Sequence, residues 1–397
     1  HTYKSDRTTR KKYWLFGDDI VEYKIPGTIF TADNQENIEK AAVSAHANMS
    51  VVYDYYKNVL NRNSFDNNNK KIIITYNYYT DKENERGENA FWSNSKKQFI
   101  FQSATDGNES IYQKAIDAMG HEYTHAVINS VVGGWLDKGL HYKGETGALN
   151  ESYADIMGSL IENKEGNDRW LIGEDARALR NMSDPSQFRQ PEHYDNFDKN
   201  YKDDNGGVHR YSGIFNFAAY KMMSDRRNSN VSKETWAKIY YNSLHRLSTD
   251  AKFLDARAAI LATAKSYGFT NEQQEAIKKA FDDVGITEPE SIRIVLTWGA
   301  EPRDLDSHLV GPGIGLFSQR FHIYFGEKNY YKNGSYSADS KDYAADLDYD
   351  DTTSFGPEIT TIHSLTPGDY YFYVHDYTNG SSTDSKEMAN SNAQVKI

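Results

Sequence analysis

The chain has 397 residues, a formal net charge of −12 and no cysteine. That length exceeds what one hydrophobic core usually holds, so two or three domains are expected. The absent thiols exclude a disulfide framework, a cysteine nucleophile and thiolate-bound zinc. The negative balance, with no Lys/Arg cluster, excludes a nucleic-acid partner.

Apolar residues make up 38%, with 30 Tyr and 18 Phe supplying part of the missing hydrophobicity. No apolar run approaches the roughly 18 residues of a spanning helix, so no membrane insertion is expected. The opening "HTYKSDRTTRKKYW" is polar, lacks an initiator Met, and reads as a processed mature end or a trimmed boundary.

Residues 1–110 read mostly as strand. "KKIIITYNYY" and "KQFIFQS" have strand composition between Asn- and Gly-rich turns, with "ENAFWSNSKK" between them. One helix interrupts them: residues 37–60 are free of Gly and Pro and apolar at helical spacing. His46 on that helix is expected to be structural. A second helix is expected over 111–132, stopped by Gly133-Gly134, with Ile116, Met119, Ala126 and Val127 among its buried residues. It carries His121, Glu122 and His125 in the order His-Glu-x-x-His. On a helix, positions four apart share a face, so both imidazoles address one point, with Glu122 beside them to act on a zinc-bound water. Gly120 costs ~1 kcal/mol relative to Ala, which leaves close packing or neutral drift as its explanation.

The stretch 145–163 reads as a third helix with an apolar stripe of Leu149, Ile156, Met157, Leu160 and Ile161. Glu151 and Asp155 share another face, and a merely solvated pair fits poorly on so apolar a helix. From 208 to 287 the chain is expected to be helical, with a Thr270/Gln273 capping box and Gly285 closing the last helix. Beyond a "TEPES" linker, "SIRIVLTW" alternates with period two, and "RFHIYF", "EITTIHSL" and "DYYFYVHDY" follow, the last after a Pro367-Gly368 turn. Residues 291–397 are expected to form a β-sandwich.

A catalytic zinc needs three protein ligands and an open position. A metzincin-type third histidine would fall at 131, where the chain has Val131, and an aminopeptidase-type Glu would fall at Gly144. What stands nearby is "GALNESYAD". With "HEYTHAV" it resembles the thermolysin-like neutral metalloproteases, and "NAFW", "IGEDARALRNMSDP", "DNGGVHRYSGIFNFAAY" and "AFDDVG" agree in order over about residues 1–287.

The resemblance implies an α+β two-lobed catalytic unit. A β-rich N-terminal lobe with the zinc-motif helix would span 1–132 and a mainly helical lobe 133–287, followed by an accessory all-β sandwich over 291–397. It implies a secreted endopeptidase acting on proteins or peptides, with one zinc held by His121, His125 and Glu151. Asp155 would fix a ligand histidine's tautomer, and Glu122 would be the general base. Tyr142 and His209, the latter oriented by Asp204, would hydrogen-bond the developing oxyanion. Asn89 and the Ala90 backbone would hold the substrate main chain, and Arg180 a substrate carbonyl. Leu179 and Ala118 would line the primed pocket, with cleavage before bulky apolar residues and extra room at Ala118.

The segment between His125 and Tyr142 is longer than the family's usual spacing, so Trp135 and Leu136 are expected to add an apolar lip. Asp117, Glu162 and Glu174 match calcium ligands of the family. Arg169 and Leu171 replace two further carboxylates, so one calcium is expected, with Asp168 as a substitute ligand. The loop "GEDARALR" is short for the family's later calcium site, and Thr31 stands where an acidic ligand is usual. In the C-terminal domain Asp304, Asp306, Asp346, Asp348 and Asp350 form a second candidate calcium group, even with solvated turn carboxylates. His308 and His322 read as structural. Two rival readings stay open. In one, the β-domain captures a substrate, matrix or cell-surface ligand and the catalytic unit is secondary; in the other, the chain is an inactive protease-like scaffold.

Overall fold

The computed structural model describes residues 1–10, 20–29, 40–80, 87–133, 138–287, 291–314, 319–332, 334–336, 343–366 and 368–397, without side chains for 5–10 and 20–24. The expectations at Thr31, Trp135, Leu136 and Pro367 lie outside the described residues. The chain divides into two compact units, His1–Thr287 and Glu288–Ile397.

The first unit opens with β1 (Thr2–Arg10) and β2 (Ile20–Ile29), then helix α1 (Lys40–Asn58), β3 (Ile74–Tyr78), β4 (Asn89–Ser93) and β5 (Gln98–Gln102). The sheet order is β2-β1-β3-β5-β4. Strands β1, β3 and β5 run parallel, while β2 and β4 are antiparallel to their neighbours. All five residues of β5, "QFIFQ", are buried, which is why that strand does not alternate apolar with polar. Strand β4 lies at the sheet's edge.

Helix α2 (Ile116–Val131) carries the His-Glu-x-x-His motif, and α3 (Gly144–Glu162) carries Glu151 and Asp155. The expected helix over 111–132 starts late: Tyr112–Lys114 form a 3₁₀ turn. The carbonyls of Gln113 and Lys114 are taken by the side-chain amide of Asn48, at 2.9 and 3.0 Å, instead of continuing the helical ladder. Helix α2 is buried along most of its length, including Asp117, His121 and Glu122. Phe99 of β5 stacks on its Tyr123, ring centroids 5.7 Å apart. Helix α3 is buried from Thr146 to Ile161.

Two glycines let these helices approach. A Cβ on Gly120 would lie 3.1 Å from the Gly158 Cα, and a Cβ on Gly158 would lie 2.5 Å from the Asp117 carbonyl oxygen. Close packing is therefore the explanation of Gly120. A short hairpin follows, β6 (Leu171–Ile172) with β7 (Arg180–Asn181). Then come α4 (Asp204–Ser224), α5 (Lys233–Ser243), α6 (Phe253–Ser266) and α7 (Asn271–Asp282). The Thr270/Gln273 box caps α7, with Gln273 N donating to Thr270 Oγ1 at 3.3 Å and Thr270 N to Gln273 Oε1 at 2.9 Å.

The second unit is mostly antiparallel strand: β8 (Ile292–Thr297), β9 (Leu305–Gly311), β10 (Phe321–Ile323), β11 (Asn329–Tyr331), β12 (Tyr343–Tyr349), β13 (Glu358–Ile362), β14 (Tyr371–Asp376) and β15 (Gln394–Lys396), with a short α8 (Glu387–Asn390). They form a three-stranded sheet, β10-β9-β14, and a five-stranded one, β11-β12-β13-β8-β15. Leu309, Phe321 and Ile323 from the first meet Ile294, Leu347 and Ile362 from the second in one apolar cluster.

Gly158→Ala should lower Tm by an amount corresponding to ~1–3 kcal/mol, because the new methyl meets main chain rather than a movable side chain. Helix propensity would favour Ala by ~1 kcal/mol, so the clash must win for this outcome. Calorimetry gives the sign, and an unchanged or raised Tm would mean the helix pair has slack.

Candidate active site

Helix α2 presents His121 and His125 one turn apart, their Nε2 atoms 2.9 Å from each other. Across the glycine contact, α3 brings Glu151, whose carboxylate oxygens lie 3.4 Å from His121 Nε2 and 3.3 Å from His125 Nε2. Each histidine's other nitrogen is engaged at 2.8 Å: Nδ1 of His121 by Asp155 Oδ1, and Nδ1 of His125 by Asn150 Oδ1. With Nδ1 donating in both, the Nε2 lone pairs face one point. Tetrahedral ligands on ~2.05 Å bonds stand about 3.3 Å apart, which these separations approach. Glu151 Oε2 is buried without a hydrogen-bond partner. The donor set therefore fits a zinc ion.

Burial disfavours charge on His121, but Glu151 and Asp155 outweigh it and raise its pKa to about 10. Burial likewise opposes charge on Glu151, yet His209, His125 and His121 hold its carboxyl well below the usual range. The centre is thus arranged around positive charge. Asp155 Oδ2 accepts from Asn216 Nδ2 at 2.8 Å, and Oδ1 accepts from Arg180 Nη2 at 2.8 Å as well as from His121. Asn216 is in turn fixed by Ser152, which donates to its Oδ1 at 2.6 Å.

Glu122 projects into the same cleft and accepts the Trp92 backbone N–H at 2.8 Å. Burial pushes its carboxyl up, against the pull of His121 and His125. Tyr142 donates to Glu151 through a short hydrogen bond, and its hydroxyl lies 3.3 Å from His209 Nε2. Burial and Glu151 hold the phenol far above its ordinary pKa, so it serves as a donor. His209 sits where α4 begins, after Asn205, Gly206 and Gly207 at φ 51°, 89° and 81°. A Cβ on Gly207 would meet the Tyr211 ring at 2.5 Å, so this turn requires glycine there. The turn lets Asp204 accept both His209 N–H at 2.8 Å and His209 Nδ1 at 2.6 Å. Glu151 foremost raises the His209 pKa.

Asn89 and Ala90 line this cleft, which has a volume of about 390 Å³, and the Asn89 Oδ1 accepts from Ala90 N at 3.0 Å. A second cavity of about 190 Å³, which shares Asn89, Ala90, His121, Glu122 and His209 with the first, is lined further by Ala118, Tyr112, Ile172, Leu179 and Arg180. The structure thus brings together every residue expected at the zinc and substrate positions. Asn150 and Asn216 were not expected. Asn150 adjoins Glu151 in "GALNESYAD", a signal available in the sequence, whereas Asn216 gives no local cue.

The calcium expectations fare unevenly. Ligand oxygens of Asp117, Glu162 and Glu174 lie within 4.8 Å of one another, and Glu162 Oε1 and Glu174 Oε2 are buried without hydrogen-bond partners. Lys164, unforeseen, reaches the same group, 2.5 Å from Glu174 and 3.3 Å from Glu162. Asp168 does not join it, because it opens the 3₁₀ turn Asp168–Trp170. Arg169 turns aside to cover the Trp170 ring, 4.4 Å from its centroid. In the second unit the five aspartates do not form one group. Asp346 and Asp348 gather with His363, the first through a 2.5 Å contact, because β12 carries them away from Asp304 and Asp306.

A family model described as thermolysin metallopeptidase, catalytic domain, matches residues 1–129, and one described as thermolysin metallopeptidase, alpha-helical domain, matches 138–286. Bacillolysin of Brevibacillus brevis is 37% identical over 281 residues, covering 66% of this chain and 49% of that protein. Thermolysin of Alicyclobacillus acidocaldarius subsp. acidocaldarius is 38% identical over 283 residues, with the same 66% and 49% covered. The chain therefore spans about half the length of these relatives. A solved structure titled as the precursor of protealysin, a metalloproteinase from Serratia proteamaculans, superposes with a TM-score of 0.56 at 27% identity, covering 72% of this chain and 87% of that one.

Asp155→Asn should weaken zinc binding ~10–100-fold, the usual effect of losing the group that orients a ligand histidine. Competition with a chelating dye measures it, and unchanged affinity would remove Asp155 from the site.

Proposed function

The chain belongs to the thermolysin family of metallopeptidases, and on that premise we propose that it is a zinc-dependent endopeptidase cutting on the N-terminal side of bulky apolar residues. The observation that carries this reading is the convergence of His121, His125 and Glu151 beside Glu122, at the foot of a cleft bordered by an edge strand. Those three residues would hold a zinc ion, which would bring the pKa of its bound water near 7 and polarise a carbonyl. Glu122 takes the proton of the attacking water and passes it to the leaving amine; a carboxyl raised by burial is suited to both steps. Tyr142 and His209 donate to the oxygen on which negative charge develops, with Glu151 foremost, and Asp204 after it, favouring the charged imidazole, and Asp204 orienting it. The substrate lies along β4 as an added strand, held by Asn89 and the Ala90 backbone. Its next side chain enters the cavity of Ala118, Ile172 and Leu179, and Arg180, fixed by Asp155, reaches a substrate carbonyl.

One calcium ion in the Asp117–Glu162–Glu174 group belongs to the same reading. The carboxylates of Asp117, Glu162 and Glu174 outnumber Lys164, whose ammonium is shared with Asp175 at 2.9 Å, so a divalent ion would answer the remaining negative charge. Extracellular action is part of the proposal, on the resemblance drawn from the sequence. We read the second unit as a β-sandwich that attaches to substrate, matrix or cell surface, supported by the exposed Tyr371, Tyr373 and Tyr377.

Cleavage profiling of a complex peptide mixture, with and without chelator, tests the function. Activity should vanish on chelation and return with zinc, and Glu122→Gln should lose ~10²–10⁴-fold in kcat while retaining the metal. Cleavage that survives chelation would rule out the metal mechanism. Ala118→Leu should reduce kcat/KM for Phe after the scissile bond more than for Val. Equal loss for both would remove Ala118 from the specificity pocket.

A further inference from the structure

Four carboxylates meet in the second unit, away from any role in hydrolysis. Asp304 precedes β9 and Asp306 lies on it, Asp350 follows β12, and Glu358 opens β13. Ligand oxygens of Asp304, Asp306 and Glu358 lie within 4.8 Å of one another. Glu358 is 1% exposed and Asp306 3%. Glu358 Oε2 accepts the Ser307 N–H at 2.6 Å, but its Oε1 has no partner, nor do Asp304 Oδ1 and Asp350 Oδ1, all of them buried. Asp350 abuts Glu358.

Among the described residues, positive charge nearby is limited. Lys328 donates to Asp350 Oδ2 at 2.7 Å, and His375 Nδ1 stands 3.5 Å from Asp306 Oδ2. Arg303 gives its Nε–H to the Thr352 carbonyl. Lys328, Arg303 and His375 answer part of this charge, but no hydrogen bond reaches Glu358 Oε1, Asp304 Oδ1 or Asp350 Oδ1, which is costly for buried carboxyl oxygens unless a cation enters.

We propose that Asp304, Asp306, Asp350 and Glu358 form a calcium site in the second unit. The donors are all hard oxygens from three stretches of the chain, and calcium accepts such sets at flexible geometry with water completing the shell. The competing occupant is a borderline metal, because Asp306, His308 and His375 also lie within 4.8 Å and His308 Nε2 is unpartnered. Oxygen is favoured because ligand oxygens of Asp304, Asp306 and Glu358 converge and Asp304 and Glu358 each keep a buried oxygen without a partner, whereas His375 is half exposed and His308 Nδ1 is engaged by His322 Nε2 at 2.9 Å. The ion ties β9 of the three-stranded sheet to the ends of β12 and β13 in the five-stranded one.

The test uses the full chain with Glu122→Gln to prevent self-cleavage, loaded with zinc and dialysed against radioactive calcium. Asp306→Asn and Glu358→Gln should each lose one calcium equivalent with zinc content unchanged. Because either variant can destabilise the unit, hydrogen exchange of the parent chain is read in parallel, and calcium should slow it over residues 304–307 and 350–358. Equal calcium in parent and variants overturns the proposal, as does exchange that calcium leaves unaltered. Loss of a second zinc rather than calcium on Asp306→Asn overturns it in favour of the histidine site.

Discussion

Two buried helices meet at Gly120 and Gly158, and the cleft depends on how near they come. Glu151 and Asp155 act on His121 and His125 only because no side chain separates the helices there. The same economy recurs where α3 meets α4: a Cβ on Gly147 would lie 2.4 Å from Val208 Cγ1. Helix α3 is thus held close on both sides by missing side chains. That proximity sets the imidazole of His209 beside the histidines of α2, 3.5 Å from Glu151 Oε2. Propensity argues against glycine within a helix, so local preference here yields to packing.

Burying so many ionisable groups demands that each be answered. Asp155 receives Arg180, Asn216 and His121, and burial that would otherwise raise its pKa is overcome, chiefly by Arg180. Arg180 is itself buried, and Asp155 and Glu151 outweigh the cost of that burial. If Arg180 binds substrate as proposed, recognition and the orientation of His121 share one guanidinium. Asp117, on the same helix as His121, lies at a second acidic focus, where burial raises its pKa to about 6. There the compensating charge is partly covalent, the ammonium of Lys164.

The convergence of the candidate site residues was legible because a helix turns a four-residue spacing into a shared face, and because several strings agree in order with a known family. Helices of the second lobe were legible from apolar spacing, and the α7 cap from Thr270 and Gln273. Partners that come from distant elements were not. Asn216 reaches Asp155 from 61 residues away, and nothing around "FNFAAY" announces an orphan carboxylate to satisfy. Lys164 was unread for the same reason, since it stands among ordinary surface charges until the fold places it against Glu174. The aspartates of the second unit share a composition but not a location. Glu358, absent from that set, completes the group because β13 begins beside β9's Ser307.

Strand β4 is an edge whose free N–H groups are few. Glu122 occupies that of Trp92, and the side chain of Asn89 occupies that of Ala90. A segment laid along this edge must be extended and must present its own main chain, which a helix or a paired strand cannot do. On the proposed function, a folded protein becomes a target only during excursions in which a local stretch opens. When such openings are fast compared with cutting, the rate is governed by the free energy of that opening. Discrimination among whole proteins would then reside less in the cleft than in the local stability of the molecules it meets.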